Sequence, residues 1–219
     1  MMNPTVWKQG VEAEVHFWKQ WLSGNRKKYE SQNPLNEKLV PFVKGKSKVK
    51  IADIGSGPVC LIGSYLEGMD IKVIPSDILA DKYKILLEEL DIKPFLNVEK
   101  QDMTKLTYEP ESFDIVYCSN AIDHSPDPYE AIKEMVRICK PGGWIYLFHI
   151  AHEGQRNRYR NLHQWNFDMT EDEDCIVWNN KPGPKTDTFL LSEVYPNFKT
   201  SLKLTRKAGL VTSVVQKHE

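Results

Sequence analysis

Between residues 48 and 150, short apolar runs of strand length keep returning between segments of helical spacing. Runs at 48–54, 71–75, 94–98, 113–118 and 144–150 read as strands, and 59–66, 79–90 and 129–139 read as helices. A helix between two strands returns the chain to the same end of the sheet, so successive strands lie parallel. The expected fold is therefore α/β: a doubly wound, mostly parallel sheet with helices on both faces and ligands at the carboxyl ends of its strands. The run FDIVYC has the composition of a strand buried on both faces, and Lys140-Pro141-Gly142-Gly143 is a strong stop for the helix before it.

Outside this block the pattern changes. In residues 5–29, Val6 or Trp7, Val11, Val15, Trp18, and Trp21 or Leu22 recur at one-face helical spacing, with a stop near Ser23-Gly24-Asn25. Such a helix either packs on the sheet or, with three tryptophans in fifteen residues, acts as a lid that closes a ligand cleft. After Ile150 come HQWNFDM, the run CIVW, a proline-rich turn at 181–185 and a strand-like LVTSVVQKH. They read as an irregular insertion followed by antiparallel C-terminal strands. The expected organisation is one domain in three parts: an N-terminal helical extension (1–45), the core (46–150), and a part that completes the sheet and carries an acceptor-site insertion (151–219).

Charge and cysteine usage narrow the function classes. With 29 basic and 30 acidic side chains, the chain has no electrostatic footprint for nucleic acid or anionic lipid. It also lacks an N-P-P-Y-like tetrad for a flipped base, since CSNAID occupies that strand end. The four cysteines are scattered, without a C-x-x-C pair or a histidine at ligand spacing, so no metal site is expected. MMNPTVWKQG lacks the pattern of a signal peptide and no apolar run reaches membrane-spanning length, which makes a cytoplasmic setting the expectation.

The glycine loop in IADIGSGPVC carries the first chemistry. Gly55 and Gly57, at the end of a strand and the start of a helix, bring bare backbone to a ligand and aim N–H groups at negative charge. A pyrophosphate suits this, and so does the carboxylate of S-adenosylmethionine. Cys60 stands where G-x-G-x-x-G needs its third glycine, and Val59 where D-x-G-x-G-x-G needs its last. Asp53 would repel a diphosphate but accept from an ammonium group. Asp77 is placed either to accept ribose hydroxyls or to cap the helix that begins at Ile78. Asp102 can accept from an adenine amino group while Met103 packs on the ring.

The segment FDIVYCSNAIDHSPDPYEAIKEMVRICKPGG resembles the class I S-adenosylmethionine-dependent methyltransferases of the small-molecule type, the methyltransferase domain family 11. Phe113-Asp114, Ile122-Asp123-His124, Asp127-Pro128 and Lys140 to Gly143 carry the likeness, which covers roughly 48–150. It implies a Rossmann-like fold and S-adenosyl-L-methionine as cofactor. It also implies Asp53, Gly55, Ser56 and Gly57 at the methionine end, Asp77 and Ile78 at the ribose, Asp102 and Met103 at the adenine, and Ser119 and Asn120 beneath the sulfonium. The expected activity is in-line methyl transfer to a small molecule such as a sugar-linked or phosphorylated metabolite. His124 and His152 are the candidate catalytic residues, with His149, Arg158, Arg160 and His163 at the acceptor. An NAD-dependent oxidoreductase or epimerase, and an inactive methyltransferase-like partner protein, are the alternatives.

Overall fold

The computed structural model describes residues 4–24, 29–179, 188–195, 203–207 and 209–218, and the proline-rich turn expected at 181–185 lies outside them. Five strands form the parallel part of the main sheet: β1 (Lys48–Ile54), β2 (Asp70–Asp77), β3 (Glu99–Lys100), β4 (Phe113–Ser119) and β5 (Cys139–Ile150). The sheet is completed by antiparallel β9 (Lys203–Lys207) and β10 (Leu210–Gln216), in the order β3-β2-β1-β4-β5-β10-β9. Strand order reverses between β1 and β4, and the loops leaving these two strands part there to open a crevice.

Alternation along the central strands builds a core on each face. Along β4, Ile115 and Tyr117 join Val49, Ile51 and Val73 in one cluster, while Val116 and Cys118 join Ala52 and Ile54 in the other. The helix α4 (Pro128–Ile138) buries Ile132, Met135 and Ile138 against the second cluster. Its start is fixed by Asp127, whose side chain accepts from the N–H of Glu130, and by Pro128 in the first turn. The first cluster is covered by residues 35–43, including the short α2 (Val40–Val43).

Three local expectations are corrected. Residues 59–66 are not a helix: Gly57 and Gly63 adopt φ of +71° and +70°, and this stretch pairs with residues 33–36 instead. Leu35 N donates to Tyr65 O (2.6 Å), Asn36 N to Ile62 O (2.7 Å) and Ser64 N to Asn33 O (2.9 Å), and a Cβ on Gly63 would run into the Pro34 carbonyl. The third strand is Glu99–Lys100 and not 94–98. Lys140 to Gly143 do follow the end of a helix, but as the irregular opening of β5, where Gly142 N donates to Lys217 O and Lys217 N to Gly143 O.

The N-terminal helix α1 (Pro4–Ser23) packs on α3 (Ala80–Glu89) rather than on the sheet, in a cluster of Val11, Leu22, Val59, Leu79, Tyr83 and Leu86. The insertion forms a small antiparallel sheet of β6 (Asn166–Met169), β7 (Cys175–Trp178) and β8 (Thr188–Leu190), with the short helices α5 (Glu153–Arg156) and α6 (Leu191–Val194). Phe167, Cys175, Val177 and Phe189 seat it on the α4 side of the core. No helix among the described residues is long and apolar enough to cross a membrane.

Candidate active site

A cavity of about 700 Å³ opens at the switch point, bounded by α1, the glycine loop, the ends of β2 and β4, and residues 157–163. Gly55 is obligatory: its φ is +70°, and a Cβ there would collide with Ala121 in the loop after β4. At Gly57 a Cβ would come within 2.5 Å of the Trp18 ring, so α1 lies directly over the loop. Trp18 is steadied by its Nε1–H, which donates to Glu14 Oε1 at 2.8 Å.

The amides of this loop are already used. Gly55 N and Ser56 N both donate to Ser76 O (2.8 and 3.0 Å), and Gly57 N donates to Asp77 Oδ2 (3.1 Å). The expectation that the loop aims unpaired N–H groups at an anion is therefore overturned, and no helix N-terminus follows to supply others. Asp77 also accepts from Leu79 N through Oδ1 (2.8 Å), so it ties the loop to the start of α3. Val59, the departure from the glycine motif, is fully buried under α1 and lines no part of the cavity.

What the cavity wall presents instead is acidic side chains. Glu14, Asp53, Asp77, Asp102 and Glu153 line the cavity, and among the described residues no lysine or arginine does. Burial pushes the Asp53 carboxyl up to about 7, and the neighbouring Asp77 adds to the rise. Burial likewise lifts Asp77 to about 6, against the lowering effect of the Leu79 and Gly57 N–H groups. Asp102 is exposed at the rim, where its Oδ1 accepts from Thr104 N (2.9 Å), and Met103 reaches back towards Gly55.

At the other end, the 3-10 turn Ile122–His124 places His124 on the wall, and His163 meets it from the insertion, with Nε2 and Nδ1 3.1 Å apart. Behind them lies Asp123, 1% exposed, whose Oδ2 is 2.8 Å from His163 Nδ1. Burial works to raise the Asp123 carboxyl, but His124, His163 and His149 outweigh it and hold it below its ordinary value. Burial works to lower His163, but the bond and charge of Asp123, with Glu153, raise it. Asn120 turns the chain here with φ of +49°, its N–H donating to Phe148 O and its Oδ1 accepting from Ile150 N.

Residues 52–147 match the family described as a methyltransferase domain. A structure of a proposed S-adenosyl-L-methionine-dependent methyltransferase from Methanococcus maripaludis superposes with a TM-score of 0.56 at 13% identity, covering 100% of this chain and 97% of that one. Over residues 52–147 the chain is thus similar to a methyltransferase domain, and it shares its fold with that structure. The ubiquinone biosynthesis O-methyltransferase of Coxiella burnetii is 29% identical over 134 residues, 57% of this chain and 53% of that protein. Its counterpart in Pseudomonas syringae is 28% identical over 143 residues, 62% and 59% of the two chains. The chain thus spans about half the length of the curated relatives it matches.

In the structure Asp53, Gly55, Ser56, Gly57, Asp77, Ile78, Asp102, Met103, Ser119 and Asn120 all line the cavity, together with His124 and His163. His149, His152, Arg158 and Arg160 do not. His149 is buried against Phe167, with ring centroids 4.1 Å apart and both nitrogens unpartnered, and burial lowers its pKa to about 4. His152 is bound in the insertion by Asp168 (2.6 Å) and Gln155 (2.9 Å). Arg158 and Arg160 are exposed on a loop whose 158, 159 and 161 positions have φ near +50°. The sequence reading missed Glu14, Asn157, Asn161 and Leu162 on the wall. For Glu14 a signal existed, since it lies one turn from Trp18 on the aromatic face of α1.

Proposed function

We propose that the chain transfers the methyl group of S-adenosylmethionine to an oxygen of a small hydroxylated acceptor. One observation carries this reading: a cavity lined by five carboxylates and no described lysine or arginine, beside a glycine loop whose Gly55, Ser56 and Gly57 amides are engaged. A dinucleotide's diphosphate would meet repulsion and find no free amide. S-adenosylmethionine, with an ammonium and a sulfonium against a single carboxylate, carries net positive charge and meets complementary charge. When bound, that cofactor supplies a methyl group on an already cationic sulfur.

The protein's own work is then largely alignment, which is worth about 7–11 kcal/mol when reacting atoms are held in a near-attack geometry. In this reading Asp53 receives the ammonium, Asp77 and Ile78 hold the ribose, and Asp102 with Met103 receives the adenine. Ser119 and Asn120 lie beneath the sulfur. His124 accepts the acceptor's proton, supported by Asp123 and His163 behind it. His152 stands outside this set, being held in the insertion by Asp168 and Gln155. The acidic wall argues for an uncharged hydroxylated acceptor over a phosphorylated one, and the name of the Coxiella and Pseudomonas relatives favours oxygen as the receiving atom.

Incubation with methyl-labelled S-adenosylmethionine and a panel of phenols, polyols and phosphorylated sugars tests this. Label should enter uncharged hydroxylated acceptors. His124→Ala should lower kcat by about 10²-fold, the usual contribution of a general base, while S-adenosylhomocysteine affinity holds. Transfer only to phosphorylated acceptors, or an unimpaired His124→Ala enzyme, would overturn the reading. Cofactor binding with no transfer to any acceptor would favour the inactive partner protein.

A further inference from the structure

We propose that Asp123, His124 and His163 hold a divalent transition-metal cation at the acceptor end of the cavity. The three ligand atoms form a tight triangle: Asp123 Oδ2 to His163 Nδ1 is 2.8 Å, His163 Nδ1 to His124 Nε2 is 3.1 Å, and His124 Nε2 to Asp123 Oδ2 is 3.4 Å. Hydrogen bonds satisfy at most two of these contacts. Each ring nitrogen carries at most one hydrogen, and if both donate to the carboxylate, two N–H groups face each other across 3.1 Å. Three lone pairs converging on one point resolve the conflict. From these separations, a cation about 2.1 Å from each atom, the usual zinc–imidazole distance, sits about 1 Å out of their plane.

The surroundings point the same way. Asp123 is 1% exposed, and its Oδ1 has no partner within the protein. Glu153 Oε1 stands 3.8 Å from His163 Nδ1 and lines the cavity, within reach of a fourth position. The loop that delivers His163 is held in a costly backbone shape, with φ of +55° at Arg158, +50° at Tyr159 and +56° at Asn161. It is pinned to the turn below by Gln164 N to Asp123 O (3.1 Å) and Trp165 Nε1 to Ser125 O (3.0 Å). Two imidazoles and one carboxylate suit zinc, iron(II), cobalt(II) or manganese(II) better than magnesium or calcium. His124 and His163 line the cavity, so positions left open on the cation face an acceptor's oxygen; in the cation-loaded chain His124 is a ligand and the cation assists loss of the acceptor's proton, whereas in the cation-free chain His124 itself accepts it.

Cobalt(II) is the probe, added to the full chain after chelation and dialysis, with visible absorption and equilibrium dialysis as readouts. One equivalent should bind with ligand-field bands and raise the thermal midpoint. His163→Ala and His124→Ala should each weaken binding at least about tenfold and abolish that rise. His163→Asn serves if the alanine variant fails to fold. His152→Ala, which removes the other histidine–carboxylate pair, should bind as the parent does. No cobalt bound at millimolar concentration, or binding that survives both cavity substitutions or is lost with His152, would overturn the proposal. S-adenosylhomocysteine affinity measured on the same samples reads the donor site separately.

Discussion

The two ends of the cavity are built in opposite ways. The donor end is made from the tips of adjacent parallel strands, and its loop amides are engaged: Ser76 O and Asp77 take those of Gly55, Ser56 and Gly57, and Asp77 also holds the start of α3. The acceptor end is assembled from residues about forty positions apart, on backbone with left-handed non-glycine residues, and its buried Asp123 Oδ1 has no hydrogen-bond partner. A loop fixed by local bonds suits a cofactor that never changes. An acceptor end joined across about forty residues depends on how the insertion folds back.

The contrast can be broken most severely at Gly55. Gly55→Val adds a side chain in a left-handed conformation against Ala121, and should cost about 2–4 kcal/mol of stability and most cofactor affinity, read by thermal melts and calorimetry. Next comes Asp77→Ala, which strands the Gly57 and Leu79 amides. A loss of about 1–3 kcal/mol is expected, with cofactor affinity down about tenfold or more.

Asp53→Asn separates the two ends by pH. The Asp53 carboxyl rises from 3.8 to about 7 on burial, so between about 4 and 7 the folded chain keeps a proton that the unfolded chain has lost. Stability of the empty protein therefore falls as pH rises through that window. Denaturant titrations at pH 5 and 7.5 should show a smaller fall in Asp53→Asn, with part of the remainder coming from Asp77, raised to about 6, and part from His163, raised by Asp123. Replacing both Arg158 and Arg160 by alanine should have the least effect, an acceptor KM within about twofold, because both are exposed and off the cavity wall.

Periodicity and short motifs made the donor end legible. The 48–54 strand, the switch-point loop, and the placement of Asp77, Asp102 and Asn120 on one cavity all follow from local pattern and strand order. The helix expected at 59–66 failed because pairing with residues 33–36 and the two left-handed glycines override its apolar run, and nothing in the local sequence encodes that partner. Val59 looked like a defect in a ligand loop and is a packing residue beneath α1. His124 was visible as a candidate. Its contact with His163 depends on how the insertion folds back over β4, so spacing along the chain does not reveal it.

Charge at the donor end is the decisive property, and calorimetry of the full chain with S-adenosylmethionine and with NAD at neutral pH measures it directly. The expected result is micromolar binding of S-adenosylmethionine and no heat from NAD at millimolar concentration. NAD binding as tightly as S-adenosylmethionine would contradict a cavity whose carboxylates and engaged loop amides select a cationic ligand.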